Sequence, residues 1–170
     1  MAKPTLPGPA IIAALKEAKI EFIVSVPDIT SSEGLLWPIA RGTDFKLVRV
    51  CKEDEGVSVC AGLAVAGRRS VLLIQHTGFL DSINAIRGIA CDQSQPVCMV
   101  IGLLEKEPHV PPKQSKMFGL RIVEPILDAM AIEHFCIEGP TEIAMLPGAI
   151  TQAYVTSRPI CALLGQSVSP

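Results

Sequence analysis

Three runs, "SVLLIQ" (70–75), "PVCMVIG" (96–102) and "PICALLG" (159–165), are almost wholly apolar where a half-exposed strand would alternate. A strand without alternation must be covered on both faces, and a parallel sheet layered between helices does this. The segments between the runs fit. "AIIAALKEAKI" carries apolar residues at helical spacing before the short strand "EFIVSV", and "EDEGVSVCAGLAVAG" separates strand "FKLVRV" from "SVLLIQ". Gly67 and the pair Arg68-Arg69 close that helix, basic residues being favoured at a helix end.

The spacing further predicts a short Ser-capped helix in "SSEGLLWPIA" despite Gly34 and Pro38, and a helix in "LDSINAIRGIACDQ". Helix "IVEPILDAMAI", strand "HFCIE" and helix "TEIAMLPGAITQAYVTS" then lead to the last strand. The pattern specifies one α/β domain over 1–170, a doubly wound and mostly parallel sheet of about six strands flanked by helices. The 170 residues suit a single core.

Composition narrows the function. Hydrophobic residues make up 49% and charged residues 19%, enough to fill a core and leave apolar surface for a partner, so an oligomer is expected. Fifteen Lys+Arg against 17 Asp+Glu, with no basic block, argues against nucleic acid. The six cysteines lack a C-x-x-C pair and sit mostly in apolar runs, as small core residues of a reducing compartment would. No uncharged run is long enough for a membrane span, and "MAKPTLPGPAII" does not have the form of a secretion signal, so a cytoplasmic protein is expected.

In a doubly wound sheet, chemistry gathers beyond the carboxyl ends of the strands. Four junctions lie there: "VPDITSS", "CKEDEG", "QHTGFLDS" and the Pro-rich "LLEKEPHVPPKQSKMFGLR", which has the composition of a surface loop. Phosphate loops, dinucleotide fingerprints, the G-x-S-x-G elbow and paired metal-binding histidines are all missing. Glu53, Asp54 and Glu55 open the third helix; first-turn acids commonly serve only the helix dipole.

Together "VSVPD", "KEDEGVSVCAGLAVAG" and "LLIQHTGFLDSINAI" resemble the pyrimidine-binding domain of thiamine diphosphate-dependent decarboxylases, above all the sulfopyruvate decarboxylase α-subunit and phosphonopyruvate decarboxylase group. The likeness runs from about residue 8 to 165 and lies in the order and spacing of the three blocks. It implies the pyrimidine-binding fold and a decarboxylase subunit. Counting back from Ala61-Gly62 puts the family's cofactor-activating glutamate at Glu53, with Glu55 as the alternative register. Its implied role is a carboxyl hydrogen bond to N1′ of the aminopyrimidine, the carboxyl facing Val57, Ala61 and the cofactor ring.

By the same resemblance Gln75, His76, Thr77 and Gly78 form the turn beside the pyrimidine, in place of the family's "QNSG", and Asp28 and His76 face the substrate. His76, Phe79 and Asp81 depart from the family pattern; for Asp28 an ordinary Asx turn is an equal alternative. Lys113 and Lys116 are candidates for an anionic substrate group, against the plainer reading of solvated loop lysines.

The chain has no G-D-G motif, so the resemblance implies a separate β subunit carrying G-D-G, Asn-Asn and Mg²⁺, with thiamine diphosphate bound between the two chains and a small anionic 2-oxo acid as substrate. A carboligase and a non-catalytic scaffold subunit are the competing readings.

Overall fold

The computed structural model describes residues 4–170. Its core is a parallel sheet of six strands: β2 (Phe22–Ser25), β3 (Lys46–Arg49), β4 (Ser70–Gln75), β5 (Cys98–Gly102), β6 (Glu133–Ile137) and β7 (Ile160–Leu164). Their spatial order is β3-β2-β4-β5-β7-β6, and every neighbouring pair is parallel.

The apolar runs occupy the centre, as continuous hydrophobicity requires. In β4, β5 and β7 alternate residues enter two cores on opposite faces. Val71, Leu73 and Val100 join one, packed under α1 (Gly8–Glu17) and α7 (Pro140–Thr156). Leu72, Ile74, Met99 and Ile101 join the other, under α3 (Glu53–Val65) and α6 (Phe118–Ala129). Each fully buried aliphatic side chain contributes roughly 1.5–3 kcal/mol. Edge strand β3, at the sheet margin, has no buried residue, which matches its polar pattern of Lys46 and Arg49.

Three departures from the expected layout bear on function. First, the helix after β4 begins at His76 itself: α4 (His76–Asp81) follows the strand without a turn, then α5 (Ile83–Ala85) and a π-helical segment, Ile86–Cys91. Phe79 of α4 is 0% exposed and packs into the core beneath that helix. Second, "SSEGLLWPIA" splits into a π-helical turn, Ser32–Leu36, and α2 (Trp37–Arg41), with no side-chain cap.

Third, two short strands absent from the sequence reading, β1 (Leu6–Pro7) and β8 (Val168–Ser169), pair in parallel beside that turn. Gly34 is needed here, since a Cβ on it would meet the Val168 side chain at 2.5 Å and the Ser169 carbonyl oxygen at 2.7 Å.

Cys60, Cys98 and Cys161 are buried and all six cysteines are free; Cys51, however, is exposed. Among the described residues no helix is long and apolar enough to cross a membrane.

Candidate functional site

After β2 the chain moves outward to β3, and after β4 it moves the other way to β5, so the strand order reverses between β2 and β4. Ligand crevices of doubly wound sheets open at such a point. Three of the four polar junctions meet there. The loop after β2 reaches across to β5: Thr30 is 2% exposed, and its Cβ lies 2.7 Å from where a Cβ on Gly102 would stand. Gly102 in turn pairs with Gln75 at the end of β4.

The three consecutive acids have three different fates. Glu55 turns back to the helix start, its carboxylate accepting the backbone N–H groups of Cys51 (2.9 Å) and Lys52 (3.4 Å). That is the N3 half of a capping box. Asp54 accepts the Glu55 N–H at 2.9 Å and lies 3.9 Å from the Lys52 ammonium. Glu53 takes neither part: among the described residues no hydrogen bond or ion pair engages its carboxylate.

The Glu53 side chain lies instead across α4. A Cβ on Gly78 would stand 2.3 Å from Cγ of Glu53 and 2.4 Å from its Cδ and Oε1. Any side chain at 78 would evict the carboxylate, so glycine there is a matter of close approach. Lys52 clamps the same two helices from outside, 3.4 Å from Asp81, the family departure at the end of α4. Its pKa is raised first by Asp54 and then by Asp81. Val57 and Ala61, on the same helix, are 0% and 7% exposed within the core under α3, and Gly78 is the surface Glu53 rests on.

His76, the first residue of α4, is only 6% exposed, and its Nδ1 is buried without a well-formed hydrogen bond. Burial lowers its pKa, offset in part by the Gly102 backbone, which favours the neutral imidazole. Its Nε2 faces Gly119 at the start of α6, 3.4 Å from a Cβ placed there. Gln75 and Thr77 are tied to each other, the Thr77 hydroxyl donating to Gln75 Oε1 at 2.7 Å.

Asp28 forms the Asx turn that was the alternative reading. Its Oδ1 accepts the N–H groups of Thr30 (2.6 Å) and Ser31 (2.9 Å), and its Oδ2 accepts the Ser31 hydroxyl. Lys113 is bound to Asp128 on α6 at 3.0 Å, away from this crevice.

Sequence reasoning missed two features. The Lys106 ammonium, its side chain 1% exposed, pairs with Glu138 beyond β6, a partner 32 residues away that only the sheet order brings near. Thr30 was passed over inside "VPDITSS"; its buried Oγ1 is also unpartnered. Among the described residues no group of three or more His, Cys, Asp or Glu side chains could hold a metal.

No protein-family model matches the chain. It is 30% identical over 155 residues to the sulfopyruvate decarboxylase subunit alpha of Methanocaldococcus jannaschii, covering 91% of this chain and 90% of that one. The chain belongs to the sulfopyruvate decarboxylase α-subunit family. The subunit alpha of Methanothermobacter thermautotrophicus is 28% identical over 93% of this chain and 94% of its own.

The sulfopyruvate decarboxylase of Methanosarcina acetivorans is 26% identical over 95% of this chain, which spans only 41% of it. Solved structures share the fold: benzoylformate decarboxylase of Polynucleobacter necessarius superposes with a TM-score of 0.66 at 16% identity, covering 98% of this chain and 32% of that one. A Mycobacterium smegmatis protein assigned to the thiamin diphosphate-dependent enzymes gives 0.67 at 14% identity, again over 98% and 32%. The sheet is thus the pyrimidine-binding fold of thiamine diphosphate enzymes, and the chain is an enzyme subunit of the decarboxylase class.

Proposed function

We propose that this chain is the pyrimidine-binding α subunit of a thiamine diphosphate-dependent decarboxylase acting on a small anionic 2-oxo acid of the sulfopyruvate type. The diphosphate and its Mg²⁺ are held by a β subunit with G-D-G and Asn-Asn motifs, and the cofactor lies between the chains. One observation carries the reading: of three adjacent acids, two are committed to backbone and cation, and the third, Glu53, is free and laid on a bare glycine at the switch point.

The residues fit the cofactor's aminopyrimidine. Gly78 supplies flat backbone, Gln75 and Thr77 polar edges, and His76 a buried ring nitrogen still lacking a partner. Bound thiamine diphosphate supplies the electron sink for loss of CO₂. Glu53 holds and returns the proton at the pyrimidine ring nitrogen. Half-buried in this chain alone, it loses its remaining water when the second subunit closes over it, and a desolvated carboxyl is better matched to sharing a proton. Asp28 faces the substrate through the loop it orders, since its own oxygens are spent on that loop.

The name of the relatives supports the substrate, and the chain's match to two fifths of the Methanosarcina acetivorans protein supports a second component. The test is reconstitution with a chain carrying G-D-G. Glu53→Gln is expected to lower kcat about 10²- to 10⁴-fold, with subunit association and melting temperature unchanged. Full turnover by that variant would favour a scaffold role, and turnover by the purified α chain alone would remove the need for a β subunit.

A further inference from the structure

A cavity of 570 Å³ lies away from Glu53. It lies on the far side of the β2 loop, between Pro27, Asp28 and Ile29, the π-turn residues Ser32 and Glu33, Trp37, and the β8 strand at Ser167 and Val168. Ile29 is 79% exposed and Trp37 42%, an unusual amount of apolar surface for two neighbours beside one hollow. The charged groups lining it are both carboxylates. Asp28 is occupied by its loop, whereas Glu33 has no ion-pair or hydrogen-bond partner among the described residues.

Other aromatic faces in the molecule show what is lacking. Lys46 sits over Phe22 at 5.3 Å, Arg69 over Tyr154 at 5.0 Å, and Arg121 over the exposed Phe118 ring at 5.4 Å. Among the described residues no cation stands over Trp37, although indole is the strongest cation–π face and carboxylates flank it. A small anion in this groove would be repelled by the unpaired Glu33 carboxylate. A cationic side chain on an apolar stem matches all three parts: stem against Ile29 and Val168, charge over Trp37, ion pair with Glu33.

We infer that this groove is a docking site for the β subunit, which inserts a lysine or arginine side chain between Trp37 and Glu33. The inference rests on the two-subunit reading and adds where the second chain grips. The groove is built by the same β2 loop whose Thr30 reaches Gly102 at the end of β5, next to Gln75 of β4. Trp and Arg are both enriched at interface hot spots.

Trp37 is the sole tryptophan of the chain, so fluorotryptophan incorporation places one ¹⁹F reporter in the groove. Labelled α chain is titrated with unlabelled β chain while sedimentation follows complex formation. The expected result is a new ¹⁹F resonance that grows with the sedimenting complex. Trp37→Leu is expected to weaken association about tenfold or more, and Glu33→Gln by a few-fold with a shallower dependence on salt.

A complex that sediments with the ¹⁹F signal unmoved overturns the docking site and leaves the two-subunit reading standing; absence of any complex defeats both. A resonance that shifts with α concentration before β is added assigns the groove to a second copy of this chain, and that too overturns the inference. Circular dichroism of both variants separates lost contact from lost fold.

Discussion

The two halves of the sheet's carboxyl edge treat polar groups in opposite ways. Beyond β5, most charged groups of the Pro-rich loop are paired within the chain, the Glu105 carboxylate and the Lys116 ammonium excepted. Lys106 binds Glu138, Lys113 binds Asp128, and Glu107 accepts the Ser115 hydroxyl at 2.7 Å and the Lys116 N–H at 2.9 Å. Arg121 then donates to the carbonyls of Ser115 and Lys116.

Beyond β2, β3 and β4, polar atoms are left over: the buried His76 Nδ1 and Thr30 Oγ1, and the half-buried Glu53 carboxylate. A buried polar atom without a partner costs roughly 1–3 kcal/mol; the other such atom among the described residues, Ser70 Oγ, lies at the amino end of β4. The first half is held by its own groups. The second keeps polar groups without a partner in the chain.

The strongest way to break that contrast is at Gly78. A methyl group there must displace the Glu53 carboxylate, and the Gly78 backbone has no left-handed angle to make alanine strained. Gly78→Ala is expected to lower turnover about tenfold to a hundredfold through Glu53, at a modest overpacking cost of about 1–3 kcal/mol. In a Glu53→Gln background the activity loss should nearly vanish, because the carboxylate is already gone. Full additivity of the two changes in kcat would show that Gly78 acts by some other route.

On the closed half, Lys106→Met is expected to destabilise the fold by about 1–2 kcal/mol in urea unfolding. Removing one member of a fully buried pair costs about 3–5 kcal/mol, but the Glu138 side chain is 36% exposed and water recovers part of the loss. Turnover at saturating substrate should hold. A large fall in kcat with unchanged stability would move Lys106 into the reacting half.

These two sites were unequally legible before the fold was known. The three central strands followed from unbroken apolar runs, a signal that needs no tertiary information, and the pair of candidates Glu53 and Glu55 followed from the family resemblance and its count back from Ala61-Gly62. The choice between Glu53 and Glu55 did not, because it turns on how the backbone at Cys51 and Lys52 aims its N–H groups. The direct passage from β4 into α4 was hidden by Gly78, a weak helix former whose place is fixed by Glu53 above and Phe79 below. β1 and β8 are too short to carry a pattern and pair across nearly the whole chain.

The finest test of the contrast uses acid. The Lys116 N–H, then the Ser115 hydroxyl, pull the Glu107 carboxyl from its ordinary 4.5 down to about 2. A group whose pKa falls on folding binds its proton more tightly when unfolded. Its contribution is therefore whole above pH 4.5 and drains away as pH drops through that value toward 2. Because the carboxylate lies at the surface, the effect is local: the Lys116 amide is expected to lose hydrogen-exchange protection across that window while β4 and β5 amides keep theirs. Loss of protection in loop and strands together would mean that the Pro-rich loop is part of the global fold and not a strap closed by its own carboxylate.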